Sequence, residues 1–330
     1  MKTSLAAVAA SATALLLGAT APAVAAVPET PVRPAQLERG PDMKIPHLEG
    51  RTVVDGDVRV PIEAGLVVLL GRAESSGEYV VGTSNRTGDA RFRVFRVTAG
   101  GERTPLLRDI PIYGMQLSGD GTQIGLATTR TGDHTRLRVW STTDGHREAS
   151  RRFPGSVSIL DLDEGRMVLG SWGPDRTFWW NSRTDATRRI AGRAGYRADI
   201  RADRVAVFTK DPYLDGCSVL STLSAPRTTL WRSCRERVEA FNPRGTRLAT
   251  VPVLTDGLGP SEVRVRRDGG RLLARYTTAG WFGALDWESA KALLLDTFGK
   301  KKAATVRCVL SDCERATPLR DTPPLWPGRA

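Results

Sequence analysis

Apolar residues in this chain come in short runs separated by tight polar turns, and one phrase recurs. Leu117-Ser118-Gly119-Asp120-Gly121-Thr122-Gln123-Ile124-Gly125-Leu126-Ala127 and Phe241-Asn242-Pro243-Arg244-Gly245-Thr246-Arg247-Leu248-Ala249 each place an apolar residue, a polar turn ending in Gly-Thr and a fresh apolar run. Gly121 and Gly245 stand 124 residues apart, three intervals of about 41. Weaker copies fill the intervals at Asp163-Glu164-Gly165-Arg166-Met167-Val168-Leu169 and Ala202-Asp203-Arg204-Val205-Ala206-Val207. Two more flank them, at Ser75-Ser76-Gly77-Glu78-Tyr79-Val80-Val81 and Glu288-Ser289-Ala290-Lys291-Ala292-Leu293-Leu294. The turns therefore fall at 77, 121, 165, 203, 245 and 290. A self-similar period near forty residues decides the class of fold before any propensity is consulted.

Each turn is followed 14 to 19 residues later by a second strand-like run: Phe92 to Val97, Leu137 to Trp140, Thr177 to Trp180, Cys217 to Leu220, Val263 to Arg266 and Val306 to Leu310. Arg91-Phe92-Arg93-Val94-Phe95-Arg96-Val97 and Val263-Arg264-Val265-Arg266 alternate apolar with arginine, the two-residue period of a strand with one wet face. Each repeat parses into four short strands: one before the turn, one after it, the alternating run, and a last one such as Thr104 to Arg108 or Thr228 to Arg232. One such sheet cannot bury both faces alone. Copies must stack, and radial stacking leaves only short, protected edges. The expectation is an all-β fold of six radial sheets. Arg51 to Ile62 lies outside the six copies and reads as further β-structure, either pairing with the last sheet or beginning a seventh.

Thr83-Ser84-Asn85-Arg86-Thr87-Gly88-Asp89 followed by Phe92 to Val97 resembles the second half of the WD40-like repeats of TolB-type β-propellers. Thr128-Thr129-Arg130-Thr131-Gly132-Asp133 followed by Leu137-Arg138-Val139-Trp140 repeats it 44 residues later, and the phrase around Asp120-Gly121 resembles the first half. The resemblance covers about residues 66 to 319 and implies a secreted, actinobacterial-like member of that repeat family. It implies a β-propeller of six blades, each of four antiparallel strands, with seven blades as the alternative. Trp140 is followed by Ser141 rather than aspartate, and no Gly-His pair opens the repeats, so the WD40 signature itself is incomplete. A shared fold does not carry over TolB's role.

The two ends differ from the repeats. Lys2, the apolar run Leu5 to Leu17 and the small residues Ala23-Val24-Ala25-Ala26 have the order of a cleaved secretory signal, with cleavage near Ala25 or Ala26. The run is too short to remain as a membrane anchor, and no later stretch reaches eighteen uncharged apolar residues. General secretory export to an extracytoplasmic location is expected. Residues 27–47, with Pro28, Pro31, Pro34, Pro41 and Pro46, read as an extended, solvated linker before the propeller at 48–319, and 320–330 as a proline-rich tail.

Composition adds compartment and charge. The 330 residues carry 33 Gly, 20 Pro and a net charge of +12, which excludes collagen-like, coiled-coil and wholly disordered chains. The four cysteines permit three pairings, and Cys217 with Cys234 and Cys308 with Cys313 each stay within one hairpin, as structural staples of an exported protein. Basicity rests on 41 arginines against seven lysines. Arginine on the wet side of strands suits an anionic cell-wall polymer, and no recognised nucleic-acid module accompanies it.

No Gly-x-Ser-x-Gly elbow, His-Glu-x-x-His pair or phosphate-binding Gly-Lys-Ser/Thr loop occurs. His47, His134 and His146 are isolated and read as solvated loop residues. The loops between second and third strands each hold carboxylates: Asp89, Asp133, Asp175, Asp211 and Asp256. In a propeller these loops share one face, so calcium or a cationic ligand is one reading; aspartate beside glycine simply making turns is the other. No cofactor is otherwise expected. The sequence thus points to a monomeric, secreted, non-catalytic propeller that binds a protein or a cell-surface polysaccharide. The alternative is a propeller hydrolase or lyase with a metal or ligand site on the loop face of its channel.

Overall fold

The computed structural model describes residues 27, 29–74, 77–85, 92–129 and 134–323; the signal-peptide reading lies outside them. All six repeats are sheets of four antiparallel strands, and each predicted turn joins the first strand to the second. They are blade 2 (Leu66–Ala73, Glu78–Ser84, Phe92–Val97, Arg103–Arg108), blade 3 (Met115–Leu117, Gln123–Thr129, His134–Ser141, Arg147–Pro154) and blade 4 (Ser156–Asp163, Arg166–Trp172, Arg176–Asn181, Thr187–Ala191). Blade 5 follows (Gly195–Asp199, Arg204–Phe208, Ser218–Ser221, Thr229–Ser233), then blade 6 (Glu236–Phe241, Arg247–Pro252, Glu262–Arg267, Leu272–Thr277) and blade 7 (Trp281–Trp287, Leu293–Phe298, Lys302–Val309, Asp312–Arg315). The first strands of successive blades touch around an axis, while the fourth strands lie outermost.

The expected count of six is corrected to seven. His47–Glu49, Thr52–Asp55 and Val58–Pro61 form a separate three-stranded sheet, blade 1, whose first strand lies against that of blade 2. It escapes the repeat count because Glu49 pairs with Thr52 across a two-residue turn, Gly50-Arg51, with no room for the recurring phrase. That phrase has a steric origin. Gly121 has φ +75°, and a Cβ there would lie 2.2 Å from the Glu74 amide nitrogen of the preceding blade. Gly245, at φ +65°, would meet Ala202 O in the same way. At Gly121 and Gly245 the glycine is where the turn presses on the preceding blade's backbone; Gly77 has open space and Gly165 meets the Arg183 side chain of its own blade.

Burial follows strand position. The second strand of blade 2, Glu78–Ser84, is buried on both faces, whereas the outermost strand of blade 3, Arg147–Pro154, is mostly open to solvent. Each blade-to-blade junction has its own apolar cluster. Val80, Ile124 and Trp140 join blades 2 and 3, Leu137, Ile159 and Met167 join 3 and 4, and Tyr276, Phe282 and Leu295 join 6 and 7. Burying one such side chain contributes about 1.5–3 kcal/mol. Blade 1 joins blade 2 through Val53, Val60 and Ile62 against Val67, Tyr79 and Val81. Asp55 adds to that junction, accepting from Tyr79 Oη at 2.9 Å and Arg72 Nε at 2.8 Å.

The junction between blades 7 and 1 is different. Its cluster has three buried members, Met43, Leu294 and Ala316, with Ile45 packed against them, and blade 1 itself contributes none. The ring is held there by the N-terminal segment, which does not behave as a solvated linker. Glu29–Pro31 pairs in parallel with Leu272–Thr277 on the outer edge of blade 6, and the Val32 amide donates to Thr277 O at 2.7 Å. Residues 34–43 then cross the edge of blade 7. Gly40 N donates to Arg315 O (2.9 Å) and Arg315 N to Glu38 O (2.8 Å). Arg307, 8% exposed, donates to Pro41 O, Asp42 O, both Glu288 oxygens and Glu314 Oε1, using all five of its N–H groups. Proline is tolerated because the segment offers mainly carbonyls and needs no ladder of its own. The expected tail also joins the sheet in part, Arg320–Asp321 pairing with the third strand of blade 7.

Candidate functional site

Connections between second and third strands, and between one blade and the next, emerge on one face of the ring. Of the five aspartates expected there, Asp89 and Asp133 lie outside the described residues. Asp175 Oδ1 accepts from the Gly173 amide of its own turn at 3.4 Å. Asp211 Oδ1 caps the Tyr213 amide at 2.9 Å, and Asp256 Oδ2 accepts the Tyr213 hydroxyl at 3.0 Å. Tyr213 thus ties together two of the candidates, Asp211 of blade 5 and Asp256 of blade 6. Among the described residues no three His, Cys, Asp or Glu side chains gather to hold a metal.

The same loops carry something the sequence reading missed. In blade 5, Asp211-Pro212-Tyr213-Leu214-Asp215-Gly216 forms a single 3-10 turn, with Pro212 opening it and Asp215 left-handed at φ 62°. A Cβ at Gly216 would lie 2.1 Å from Lys210 O, so only glycine closes the loop. The Cys217–Cys234 disulfide braces its base, and Thr209 N donates to Cys217 O at 2.9 Å. This frame holds Tyr213 and Leu214 outward at 68% and 65% exposure; Leu254 and Leu258 of the blade 6 loop are 49% and 56% exposed. Beside Leu258 a cleft of about 530 Å³ runs to Trp281, which stacks on Phe298 at 4.9 Å, and Lys300 lies at its rim. Apolar residues amid turn-formers, with no periodicity directing them inward, are the signal that could have found this patch.

Three arginines of the alternating strands, Arg96, Arg264 and Arg266, are committed to the protein itself. Glu236, 4% exposed, accepts from Arg266 Nε and Nη2, each at 2.7 Å, from Thr250 Oγ1 at 2.7 Å, and from Arg264. Burial alone would raise its carboxyl, but the hydrogen bonds from Arg266, Thr250 and Arg264 hold it below the usual range. Arg275 pairs with Glu262 at 2.7 Å and Arg96 with Glu78 at 3.0 Å. These guanidiniums are not free for a polyanion.

Polar links join blades 3 to 6 at or beside their first strands. Gln116 Nε2 donates to Ile159 O (2.8 Å), Ile200 N to Asp161 Oδ2 (2.6 Å), Val238 N to Tyr196 Oη (3.0 Å), and Arg197 pairs with Glu239 (2.8 Å). Burial pushes the Asp161 carboxyl up to about 6, with Asp199 and Asp163 adding like charge against its two amide donors. His47 is not a solvated loop residue: it stands on the first strand of blade 1 at 8% exposure. His134 is exposed but opens the third strand of blade 3, and His146, also exposed, lies in a turn with its Nδ1 2.6 Å from Asp144 Oδ1. Cys308 pairs with Cys313 as expected.

No protein-family model matches the sequence, and no curated protein is similar to it. Solved structures are similar in fold. The β-propeller domain of the Trilobed protease from Pyrococcus furiosus, described as having an open velcro topology, aligns with TM-score 0.57 at 8% identity over 84% of this chain and 98% of that one. The fold is a seven-bladed β-propeller. An oligogalacturonate lyase in complex with manganese aligns with TM-score 0.55 at 13% identity, over 78% of this propeller and 82% of the lyase. An uncharacterized protein from Listeria monocytogenes EGD-e gives TM-score 0.54 at 14% identity over 79% and 86%. At such identities the likeness is one of fold alone. Among the described residues no helix of this propeller is long and apolar enough to cross a membrane.

Proposed function

We propose that this propeller is an exported, non-catalytic scaffold that grips a protein partner with the loop face of blades 5 to 7. The observation that carries the reading is the exposure of Tyr213, Leu214, Leu254 and Leu258 on two adjacent loops, one of them disulfide-braced. Contiguous apolar surface rimmed by charge marks a binding site, and tyrosine is enriched where interfaces concentrate their energy. Export is supported by two disulfides and by the order of the N-terminal residues. Asp211 and Asp256 serve as the patch's frame and rim; calcium, on this reading, leaves the melting temperature unchanged.

A photo-cross-linking residue at Leu258, applied to the producing cells, should yield a discrete adduct. The same residue at Thr184, in the blade 4 turn of the opposite face, should not, and Tyr213→Ala with Leu214→Asp should abolish the Leu258 adduct. Equal adducts from both faces, or none from Leu258, would overturn the proposal.

A further inference from the structure

The cleft of about 530 Å³ beside Leu258 differs in chemistry from the rest of the loop face. Leu258, Trp281 and Pro323 wall it, and Trp281 is fixed by its stacking on Phe298. Glycine completes the lining, because a Cβ at Gly259 or Gly280 would lie 2.1 Å from the carbonyl oxygen of Phe282 or Phe298. Thr322, the one hydroxyl side chain of the lining, donates to Gly299 O at 2.9 Å, and no carboxylate lines the cleft. Lys300 stands at its rim with Lys301 beside it, both exposed. Three of the chain's seven lysines are consecutive here, at 300–302. Lys302 is paired with Asp321 at 2.7 Å, whereas among the described residues Lys300 and Lys301 have no carboxylate partner.

An apolar cleft with two uncommitted ammoniums beside its rim selects an apolar group that carries negative charge next to it, since complementary charge fixes partner choice and register. We infer that the cleft takes an acidic stretch of the protein partner, with one apolar side chain between Leu258 and Trp281 and flanking Asp or Glu carboxylates on Lys300 and Lys301. The inference rests on the loop-face reading, since Leu258 belongs to both cleft and patch, and it names the charge of what that face binds. Other occupants fit less well. A basic stretch would be repelled by the same two ammoniums. An uncharged one would cover Leu258 and Trp281 and gain nothing from the lysines. An acidic polysaccharide would reach the lysines but set its hydroxyls against Leu214, Leu254 and Leu258, and burying a hydroxyl without a partner is unfavourable.

A water-soluble carbodiimide tests the charge, and the Leu258 cross-link tests the face. On the producing cells the reagent activates a carboxylate, a neighbouring lysine Nζ attacks the activated carbonyl carbon, and the amide forms as the carbodiimide departs as its urea. Lys300 or Lys301 of the native protein should be joined in this way to an Asp or Glu of the same protein that a photo-cross-linking residue at Leu258 captures, read by peptide mass spectrometry. Lys300→Glu with Lys301→Glu should lower the Leu258 adduct about tenfold, and Lys300→Arg with Lys301→Arg should keep it. Lys291→Glu, in the blade 7 turn of the opposite face, should leave it unchanged. A Leu258 adduct undiminished by the two glutamates, or accompanied by no amide at Lys300 or Lys301, would overturn the acidic stretch and leave the loop-face reading standing. No Leu258 adduct at all would overturn both. An amide from either lysine to the chain's own terminal carboxylate, or a polysaccharide in place of the protein adduct, would give the cleft another occupant and likewise overturn the inference.

Discussion

Arg307→Lys isolates the contact that fastens the N-terminal segment to blade 7. The native guanidinium makes five hydrogen bonds from three nitrogens: two to Glu288, one to Glu314 and one each to Pro41 O and Asp42 O. Lysine keeps the charge but has three donors on one nitrogen, so at least two acceptors lose their partner. A buried acceptor left unpaired costs about 1–3 kcal/mol. The expected loss is therefore about 3–4 kcal/mol, a fall in Tm of about 5–6 °C for a chain of this size. Arg307→Met should be worse, since the Glu288 side chain, 3% exposed, would keep an uncompensated charge. Burial would raise Glu288, but hydrogen bonds from Arg307 and the Lys44 amide, with the positive charge, hold it low. Its contribution is thus present above pH 4.5 and lost as pH falls through the depressed native value. The gap between native protein and Arg307→Met should narrow in acid. Calorimetry at pH 7 and pH 4, with limited proteolysis of residues 29–43, reads both effects. A lysine variant melting within about 2 °C of the native protein, or a methionine variant no worse than lysine, would refute the reasoning.

Three further outcomes are expected. Replacing Cys217 and Cys234 by serine removes a 17-residue closure and should lower stability by about 3 kcal/mol, with faster proteolysis at Tyr213-Leu214, read by denaturant titration and mapped cleavage. Asp161→Asn should be more stabilising at pH 7 than at pH 4. Burial raises the native carboxyl from 3.8 to about 6, so its contribution falls as pH rises through that window, by at most about 3 kcal/mol; a pH-independent difference in unfolding free energy would contradict this. Gly121→Ala should lose at least about 1–2 kcal/mol from its positive φ, and more from contact with the Glu74 amide, whereas Gly77→Ala, with open space around it, should lose only the φ term.

What the sequence made legible follows from repetition. Six blades could be placed because each joins its first strand to its second by a short polar turn, and that turn recurs every forty residues or so, most sharply at Gly121 and Gly245 where the preceding blade's backbone leaves no room for a Cβ. The cystines were legible because both pairs close one hairpin, Cys308 facing Cys313 in register. Blade 1 was visible only as β-structure, since its Gly50-Arg51 turn is too short to bear the repeated phrase. The N-terminal segment read as solvent-exposed because its bonds come from distant donors, such as Arg307 at a separation of 266 residues from Pro41, which no local pattern encodes. His47 read as a loop residue for a related reason: it closes the proline-rich stretch 27–47, while the strand it begins is fixed by pairing with Val54. Alternation at Val263-Arg264-Val265-Arg266 reports two faces and says nothing of Glu236, which holds both of those arginines.

The account rests on a ring of seven sheets drawn closed by its own N-terminal segment across a junction with almost no apolar seal. Native-state hydrogen exchange measures that closure at single amides. Val32, which donates to Thr277 O, and Gly40 and Arg315, which tie the segment to blade 7, should exchange as slowly as the blade strands and open together with them. Exchange at Val32 and Gly40 at the rate of an unstructured chain, while the amides of blades 2 to 7 stay protected, would contradict it.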